Sequence, residues 1–243
     1  MAIGTRRVTR PIASPASSVT HDMDAQARHA LPNVREVLAV CAHPDDESFG
    51  LGAILAAFAE QGATTRVLCF THGEASTLGV TSRPLAEMRA DELRTAADAL
   101  GVGGVQLLTH RDGHLEDVGL DQLAGIVVDS LGDADLLLVF DEGGITGHPD
   151  HCRATDAALA VAEQHHVPVL AWALPEEVAA ALNAEFGTAF VGRPESDISI
   201  VIEVDRARQL SAIACHATQS GTNPVLWRRL ELLGLNEHLR WLT

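Results

Sequence analysis

The sequence predicts an α/β protein of the Rossmann-like type, with a mostly parallel sheet flanked by helices. From Val34 onward, apolar runs of five to seven residues alternate with helical patterns of 12 or more residues. This alternation is typical of parallel βαβ units. In addition, clusters of histidines and acids directly follow four of the apolar runs, and open α/β sheets gather ligands at those strand ends.

Each predicted element follows from its own pattern. EVLAVCA (36–42) and TRVLCFT (65–71) are short apolar runs that predict buried strands. SFGLGAILAAFAEQG (48–62) and LAEMRADELRTAADALG (85–101) space their apolar residues as helices do, and each ends at a glycine. The same reasoning predicts strands at VQLLT, DLLLVF and PVLAWAL, helices at about 119–131 and 150–166, a strand at 198–204 that is expected to be antiparallel at a sheet edge, and helices at about 205–219 and 224–241.

The chain is expected to form one domain, over residues 34–243, preceded by a flexible extension over residues 1–33. The extension contains arginines but no apolar segment typical of a secretory signal. No apolar run approaches the roughly 20 residues of a membrane span. The four cysteines are widely spaced and form no C-x-x-C pair, which predicts a reduced, cytoplasmic protein.

Composition excludes several functions. The net charge of −16 argues against nucleic acid or an anionic membrane as the main partner. All 17 basic residues are arginine, so neither a Walker-type phosphate loop nor Schiff-base chemistry is available, because both need a lysine. The chain also lacks tyrosine, and therefore a phenol. A small-molecule substrate is the expected partner; the oligomeric state stays open.

Two local strings share the residues His-Pro-Asp. AHPDDE follows the first strand and places His43 and Asp46 three residues apart; GHPDH follows the fourth and places His148 and His151 three apart. Nitrogen and oxygen ligands with an open coordination position suit a catalytic zinc, whereas closed structural sites usually contain cysteines.

Either string alone is also a common way to begin a helix, since proline suits the first helical position and acids favour the helix N-terminus. Their joint occurrence at strand ends favours a site. A dinucleotide-binding loop is disfavoured, because Leu55 stands where the third glycine of GxGxxG belongs after Gly50 and Gly52.

With both motifs in place, the chain from about Val34 resembles the LmbE-like (PIG-L type) zinc N-deacetylases, which act on N-acetylglucosamine linked to inositol or related groups and include mycothiol-pathway enzymes. GEAS, EMRADELRTAADALGV and HATQ are similar to further segments of that family. The resemblance implies zinc ligands, a general base (Asp45) and an oxyanion or leaving-group partner (His148) oriented by Asp150. The implied zinc ligands are His43, Asp46 and His151.

Several members of that family have a tyrosine where this chain has Thr146. Thr146, Arg83, Asp112 and His216 are further candidates for substrate binding. Arg89 is expected on a solvated helix face, paired with nearby glutamates.

The function expected from these residues is zinc-dependent removal of an N-acyl group from an amino-sugar compound, and the family resemblance implies that this group is acetyl. Bound zinc can lower the pKa of its water to about 7, and an adjacent aspartate can accept the proton. An amidase acting on a thiol conjugate or secondary metabolite is the first alternative. A nucleotide-binding module without a catalytic metal is the second.

Overall fold

The structure is a computed structural model, which describes Met1 and residues 29–78 and 83–243. Its strands are β1 (Glu36–Cys41), β2 (Thr64–Thr71), β3 (Gly104–His110), β4 (Leu136–Phe140), β5 (Val169–Trp172), β6 (Leu174–Pro175), β7 (Gly192–Arg193), β8 (Ile200–Glu203) and β9 (Asn236–Trp241). Its α-helices are α1 (Asp46–Phe49), α2 (Gly52–Glu60), α3 (Leu85–Leu100), α4 (Leu120–Leu131), α5 (Gly144–Gly147), α6 (Pro149–His165), α7 (Glu176–Phe186), α8 (Ala207–Cys215), α9 (Ala217–Ser220) and α10 (Pro224–Leu233).

The main sheet has seven strands in the order β3-β2-β1-β4-β5-β9-β8. Strands β1 to β5 are parallel, whereas β9 runs antiparallel to both β5 and β8. The predicted Rossmann-like, mostly parallel sheet is therefore confirmed, as is the antiparallel edge strand near 198–204. From β1 the chain adds β2 and β3 on one side of the sheet, and then β4 and β5 on the other side. The change of side at β1 leaves a crevice at the carboxyl ends of β1 and β4, where such sheets bind ligands.

Apolar side chains pack on both faces of the sheet, in two large clusters. In β4 all five residues are buried, and β1 is buried from its second residue onward. Continuous apolar runs are expected for strands covered by helices on both sides. Within the described residues, no helix combines the length and the apolar character needed to cross a bilayer.

The C-terminal region differs most from the sequence-based prediction. The single helix predicted over 224–241 is a helix that ends at Leu233 and a strand, β9, that follows Gly234. Gly234 has a φ of 58°, which breaks the helix, and β9 is stabilised by pairing with both β5 and β8. The helix predicted over 205–219 is interrupted at His216. Helix α7 was not predicted.

The proposed boundary at residue 34 falls beside residues that already pack on the domain. Leu31 is buried in the larger apolar cluster, and His29 Nδ1 lies 3.1 Å from the carbonyl oxygen of Val201. The flexible extension predicted before residue 34 lies mostly outside the described residues, and that part stays a prediction.

Candidate active site

The two His-Pro-Asp strings meet at the carboxyl ends of β1 and β4. Because these strands are neighbours in the sheet, the loops that follow them lie side by side. The ring centroids of His43, His148 and His151 lie 4.8 to 5.0 Å from one another. The sheet thus brings together residues more than 100 positions apart in the sequence.

Three potential ligand atoms converge at this point. His151 Nε2 lies 3.1 Å from His43 Nδ1 and 3.1 Å from Asp46 Oδ1. The other carboxylate oxygen of Asp46, Oδ2, lies 3.8 Å from His43 Nδ1. Ligands about 2 Å from a tetrahedral zinc lie roughly 3.3 Å from one another. The spacing of these atoms therefore suits one small divalent cation.

In His43 and His151, the ring nitrogen that does not face the other ligands contacts a carboxylate or a backbone carbonyl. His43 Nε2 lies 3.0 Å from Asp112 and 3.3 Å from Asp150, and His151 Nδ1 lies 3.1 Å from the carbonyl oxygen of Gly144. If these nitrogens carry the protons, the two facing nitrogens and the Asp46 carboxylate present only lone pairs to each other. A cation would satisfy all three, as histidine ligands held by carboxylates or carbonyls commonly do.

The hydrogen bonds and charges around Asp46 also favour binding of a cation. Its Oδ2 accepts hydrogen bonds of 2.9 Å from the backbone N–H groups of Ala42 and His43, which leaves Oδ1 facing His151. Burial raises the pKa of Asp46. The charge and hydrogen bond of His151 and the charge of His43 lower it by a larger amount, so the net pKa lies well below its usual value. The carboxylate is therefore ionised.

Two other groups of possible ligands also lie close together: His43 with His148 and His151, and His43 with Asp112 and Asp150. Backbone N–H groups already occupy most of these oxygens: Gly113 and Leu115 donate to Asp150, and Ala75 donates to Asp112. We therefore interpret both acids as supports for His43. In the protein without a cation, burial lowers the pKa of His43, but its hydrogen bonds to the two acids raise it to about 10.

Asp45 faces the cavity beside the converging ligands. Its Oδ2 forms an ion pair of 3.0 Å with Arg89, and its backbone N–H donates to Glu47 Oε2 at 2.9 Å. Burial raises the pKa of Asp45 to about 6, against the opposing charge of Arg89. A carboxylate in this range can accept a proton near neutral pH.

The structure corrects the interpretation of Arg89 as solvent-exposed. Arg89 is only 3% exposed and also donates to the carbonyl oxygens of Gly73 and Pro44. It lies on the buried face of α3, four residues before Leu93. That position on an apolar helix face was a signal in the sequence for a buried, functional arginine.

His148 lines the cavity next to the ligand group. It precedes α6, and its Nδ1 accepts a hydrogen bond of 3.2 Å from the backbone N–H of Asp150. Burial and the nearby His151 and His43 lower the pKa of His148. The neutral ring then carries its proton on Nε2, where it can donate to an oxyanion.

Asp150 does not act as predicted. We expected its side chain to orient His148, but its carboxylate points to His43, and only its backbone N–H contacts His148. The reason is position: Asp150 is in the first turn of α6, and its side chain is fully buried against the loop that follows β3.

The four predicted substrate-binding residues have different surroundings. Thr146 and Asp112 line the cavity, although Asp112 also supports His43. Arg83 is exposed, forms ion pairs with Glu87 and Asp91, and is not among the described residues that line the cavity. His216 is fully buried and therefore cannot touch a substrate: its Nε2 lies 2.6 Å from Glu47 Oε1.

The cavity itself has a volume of about 540 Å³. Besides the polar groups above, it is lined by apolar side chains and by Arg229, a residue that sequence reasoning missed. The signal was again a helix face: Arg229 lies three residues after Leu226 and four before Leu233, on the buried side of α10. The apolar lining residues include Phe49, Leu78, Phe140, Ile145, Trp172, Phe190, Val225 and Leu226.

Gly50 and Gly52 serve packing rather than phosphate binding. A Cβ atom at Gly50 would collide with the Phe140 ring, and one at Gly52 would lie 3.1 Å from Gln209 Cγ. The absence of a Cβ at Gly50 lets the loop after β1 approach the end of β4. The nucleotide-binding alternative thus has no open glycine loop at this position.

Comparison with known proteins agrees with this geometry. A family model described as GlcNAc-PI de-N-acetylase (PIG-L) matches residues 38–162. The 1D-myo-inositol 2-acetamido-2-deoxy-alpha-D-glucopyranoside deacetylase of Kineococcus radiotolerans is 32% identical over 255 residues, covering 78% of this chain and 70% of that protein. The probable N-acetyl-alpha-D-glucosaminyl L-malate deacetylase 2 of Bacillus anthracis is 28% identical, covering 87% of this chain and 93% of that protein. The structure of teicoplanin deacetylase Orf2 in its zinc-inhibited form has a TM-score of 0.63 at 20% identity, covering 85% of this chain and 97% of that chain.

Proposed function

The chain belongs to the GlcNAc-PI de-N-acetylase (PIG-L) family, and we propose that its reaction is the zinc-dependent removal of the acetyl group from a small amino-sugar compound. The class of enzyme follows from the family: it is a hydrolase of N-acyl amide bonds that acts on an amino-sugar substrate. Zinc and the roles of individual residues are the parts that we add. The approach of His151 Nε2 to within 3.1 Å of both His43 Nδ1 and Asp46 Oδ1 is the observation that carries them.

His43, Asp46 and His151 would hold the metal. When bound, zinc would supply Lewis acidity and a water whose pKa is lowered to about 7. Asp112 and Asp150 would fix the His43 ring through its Nε2. Softer ligands are not needed, because nitrogen and oxygen donors with an open position suit catalytic zinc.

Asp45 would be the general base. It would take a proton from the attacking water as the water oxygen bonds to the amide carbon, and then pass that proton to the leaving nitrogen as the C–N bond breaks. Acetate and a primary amine are the products. The Arg89 ion pair would keep the Asp45 carboxylate aimed at the cavity.

His148 would stabilise the oxyanion that develops on the substrate carbonyl. Its Nδ1 accepts from the Asp150 backbone, so its Nε2 can donate. A donor that is already in place costs little reorganisation and is worth about 10²-fold or more in rate. Several family members have a tyrosine at the position of Thr146, where it helps to polarise the carbonyl. In this chain the His148 contact would replace that tyrosine.

A substrate panel tests the proposal. Purified protein should release acetate and free amine from N-acetylglucosaminides, lose that activity after chelation, and regain it with Zn²⁺ better than with Mg²⁺. Full activity in chelated protein, or equal recovery with Mg²⁺, would contradict the role of zinc. Thiol conjugates in the same panel test the amidase alternative, which predicts amide cleavage there instead of acetate release.

We also propose that the protein works in the cytoplasm. All four cysteines are free thiols, and two of them, Cys41 and Cys69, are buried side by side on paired strands. Free thiols are typical of a reducing compartment.

A further inference from the structure

The cavity continues from the metal ligands along a row of aromatic rings to an arginine. Phe140 lies 4.9 Å from the ring of His151, and Trp172 lies 5.4 Å from Phe140. The guanidinium carbon of Arg229 lies 4.9 Å from the centre of the Trp172 ring. All four side chains line the same cavity of about 540 Å³. Arg229 is thus three contacts away from the ligand group, along one apolar wall.

Arg229 differs from the two other buried arginines. Arg89 is paired with Asp45 at 3.0 Å, and Arg206 is paired with Glu237 at 2.5 Å. Arg229 is 9% exposed, and no carboxylate within residues 29–78 and 83–243 forms an ion pair with it. Its one hydrogen bond in that part of the chain runs from Nη2 to the carbonyl oxygen of Phe49, at 2.6 Å. Its Nε is buried without a hydrogen-bond partner, as is the Nε of Arg89.

Glu237 is the acid whose charge acts most on Arg229, and it is not available to compensate that charge. Glu237 uses Oε1 to accept from Arg206 and Oε2 to accept from Trp172 Nε1, at 2.7 Å. Burial lowers the pKa of Arg229 to about 10, so the side chain is still a cation at neutral pH. A buried cation without a partner is unfavourable, and an incoming anion would relieve it.

Resting on the proposed function, we propose that Arg229 binds a carboxylate on the part of the substrate attached to the amino sugar. A guanidinium offers planar N–H groups that match the two oxygens of a carboxylate. A single positive charge suits a monoanion, because Asp45, Asp46 and Asp112 line the same cavity and would repel a dianion. The rings of Phe140 and Trp172 would contact an apolar body between the sugar and the carboxylate.

A matched pair of substrates tests this directly. The probes are para-carboxyphenyl N-acetyl-α-glucosaminide and its methyl ester, which differ in one negative charge. The native enzyme should hydrolyse the acid with a kcat/KM roughly 10- to 100-fold above that of the ester, mainly through KM, as expected for one charge-assisted contact. Arg229→Gln should bring that ratio close to one, because it should lower kcat/KM on the acid far more than kcat/KM on the ester.

Arg228 provides the matched control. It is the neighbouring residue, pairs with Glu185 and Glu231, and is not one of the described cavity-lining residues. Arg228→Gln should keep the native ratio. A native ratio near one overturns the proposal whatever the variants do. So does an Arg229→Gln variant that loses activity on acid and ester equally, since this would indicate a structural role.

Two further measurements keep the outcomes separate. If Arg229→Gln fails to fold, Arg229→Met replaces it, because methionine is a long side chain without charge: a reduced ratio supports the pairing, and an unchanged ratio overturns it. If neither glycoside is hydrolysed, the proposed deacetylation has failed, and calorimetric binding then tests Arg229 by itself. Tighter binding of the acid than of the ester, lost in the variant, supports the proposal; equal binding overturns it.

Discussion

At the scale of single residues, the backbone conformation of Asp45 explains how Asp45 and Asp46, although adjacent in sequence, can have different proposed roles. Asp45 has a φ of 106°, a conformation that costs a non-glycine residue roughly 1–3 kcal/mol. Glu47 accepts its backbone N–H, and Arg89 holds its side chain. As a result the carboxylates of Asp45 and Asp46 point in different directions, one toward Arg89 at the cavity and one toward His151.

Substitution of each aspartate should separate these tasks. Asp45→Asn keeps the shape and removes the proton acceptor, so we expect nearly stoichiometric metal and a loss of turnover of about 10²- to 10⁴-fold. The acidic limb of the pH–rate profile should also disappear. Asp46→Asn serves as the comparison and should lose most of the metal. Mass spectrometry of metal content together with initial rates would contradict this assignment if Asp45→Asn lost the metal and Asp46→Asn kept it.

How far the sequence predicts the site depends on how local each contact is. The two His-Pro-Asp strings predict the proposed ligand types because the residues within each string are only three positions apart. The partner of Asp150 could not be predicted, because it depends on β1 and β4 lying side by side. Arg89 and Arg229 were misjudged or missed because charge was taken as a sign of exposure, although both lie on apolar helix faces.

At the scale of elements, a buried pair ties the first motif to the C-terminal helices. Glu47 belongs to α1, and His216 lies where α8 ends and α9 begins. Both side chains are fully buried and meet at 2.6 Å. His216 therefore acts on the site through Glu47, which in turn holds the backbone of Asp45.

The contribution of this pair to stability should depend on pH. Burial by itself lowers the pKa of His216, but the charge and hydrogen bond of Glu47 raise the net pKa above its usual value. A group with a raised folded-state pKa stabilises fully below its unfolded value of about 6.5 and loses that contribution as pH rises through the folded value. His216→Gln should therefore reduce the free energy of unfolding by roughly 1.5–3 kcal/mol near pH 6 and by less at high pH.

Urea unfolding of both proteins across this pH range provides the measurement. His165→Gln, at an exposed position near the end of α6, is the control and should follow the native protein at every pH. A difference between native protein and His216→Gln that stays constant with pH would show that the pair carries no charge.

Helices and strands were predicted correctly where the cause of the structure lies within the segment itself, and not where it lies in distant residues. Strands β1, β2, β4 and β5 were predictable from their apolar runs, because burial on both faces leaves a strong local pattern. Strand β3 lies at the sheet edge and is only partly buried, and its shorter run VQLLT was sufficient to predict it. Strand β9 was predicted as helix because its residues, NEHLRW, carry only a weak alternation. It is a strand because β5 and β8 offer hydrogen-bonding partners on both sides, and that information lies outside the segment.

At the scale of the whole molecule, the N-terminal boundary can be tested by truncation. Deleting residues 1–28 should leave unfolding and acetate release unchanged. Deleting residues 1–33 removes Leu31 from the apolar cluster, and we expect a loss of about 2 kcal/mol in the free energy of unfolding, the usual contribution of a buried leucine. A folded protein without residues 1–28 that has lost its activity would contradict the prediction that the first segment is dispensable.

The pairing of β1 with β4 also has a consequence for how the chain folds. His43 and His151 are 108 residues apart in sequence and become neighbours only when these two strands pair. Closing a loop of this length carries an entropic cost that must be met before the contact forms. A cation would therefore have no complete set of ligands in the early folding chain, and it would act mainly after the rate-limiting step. Its effect would be to slow unfolding far more than to accelerate folding. The metal-bound protein would therefore be kinetically stable, with a high activation barrier to unfolding.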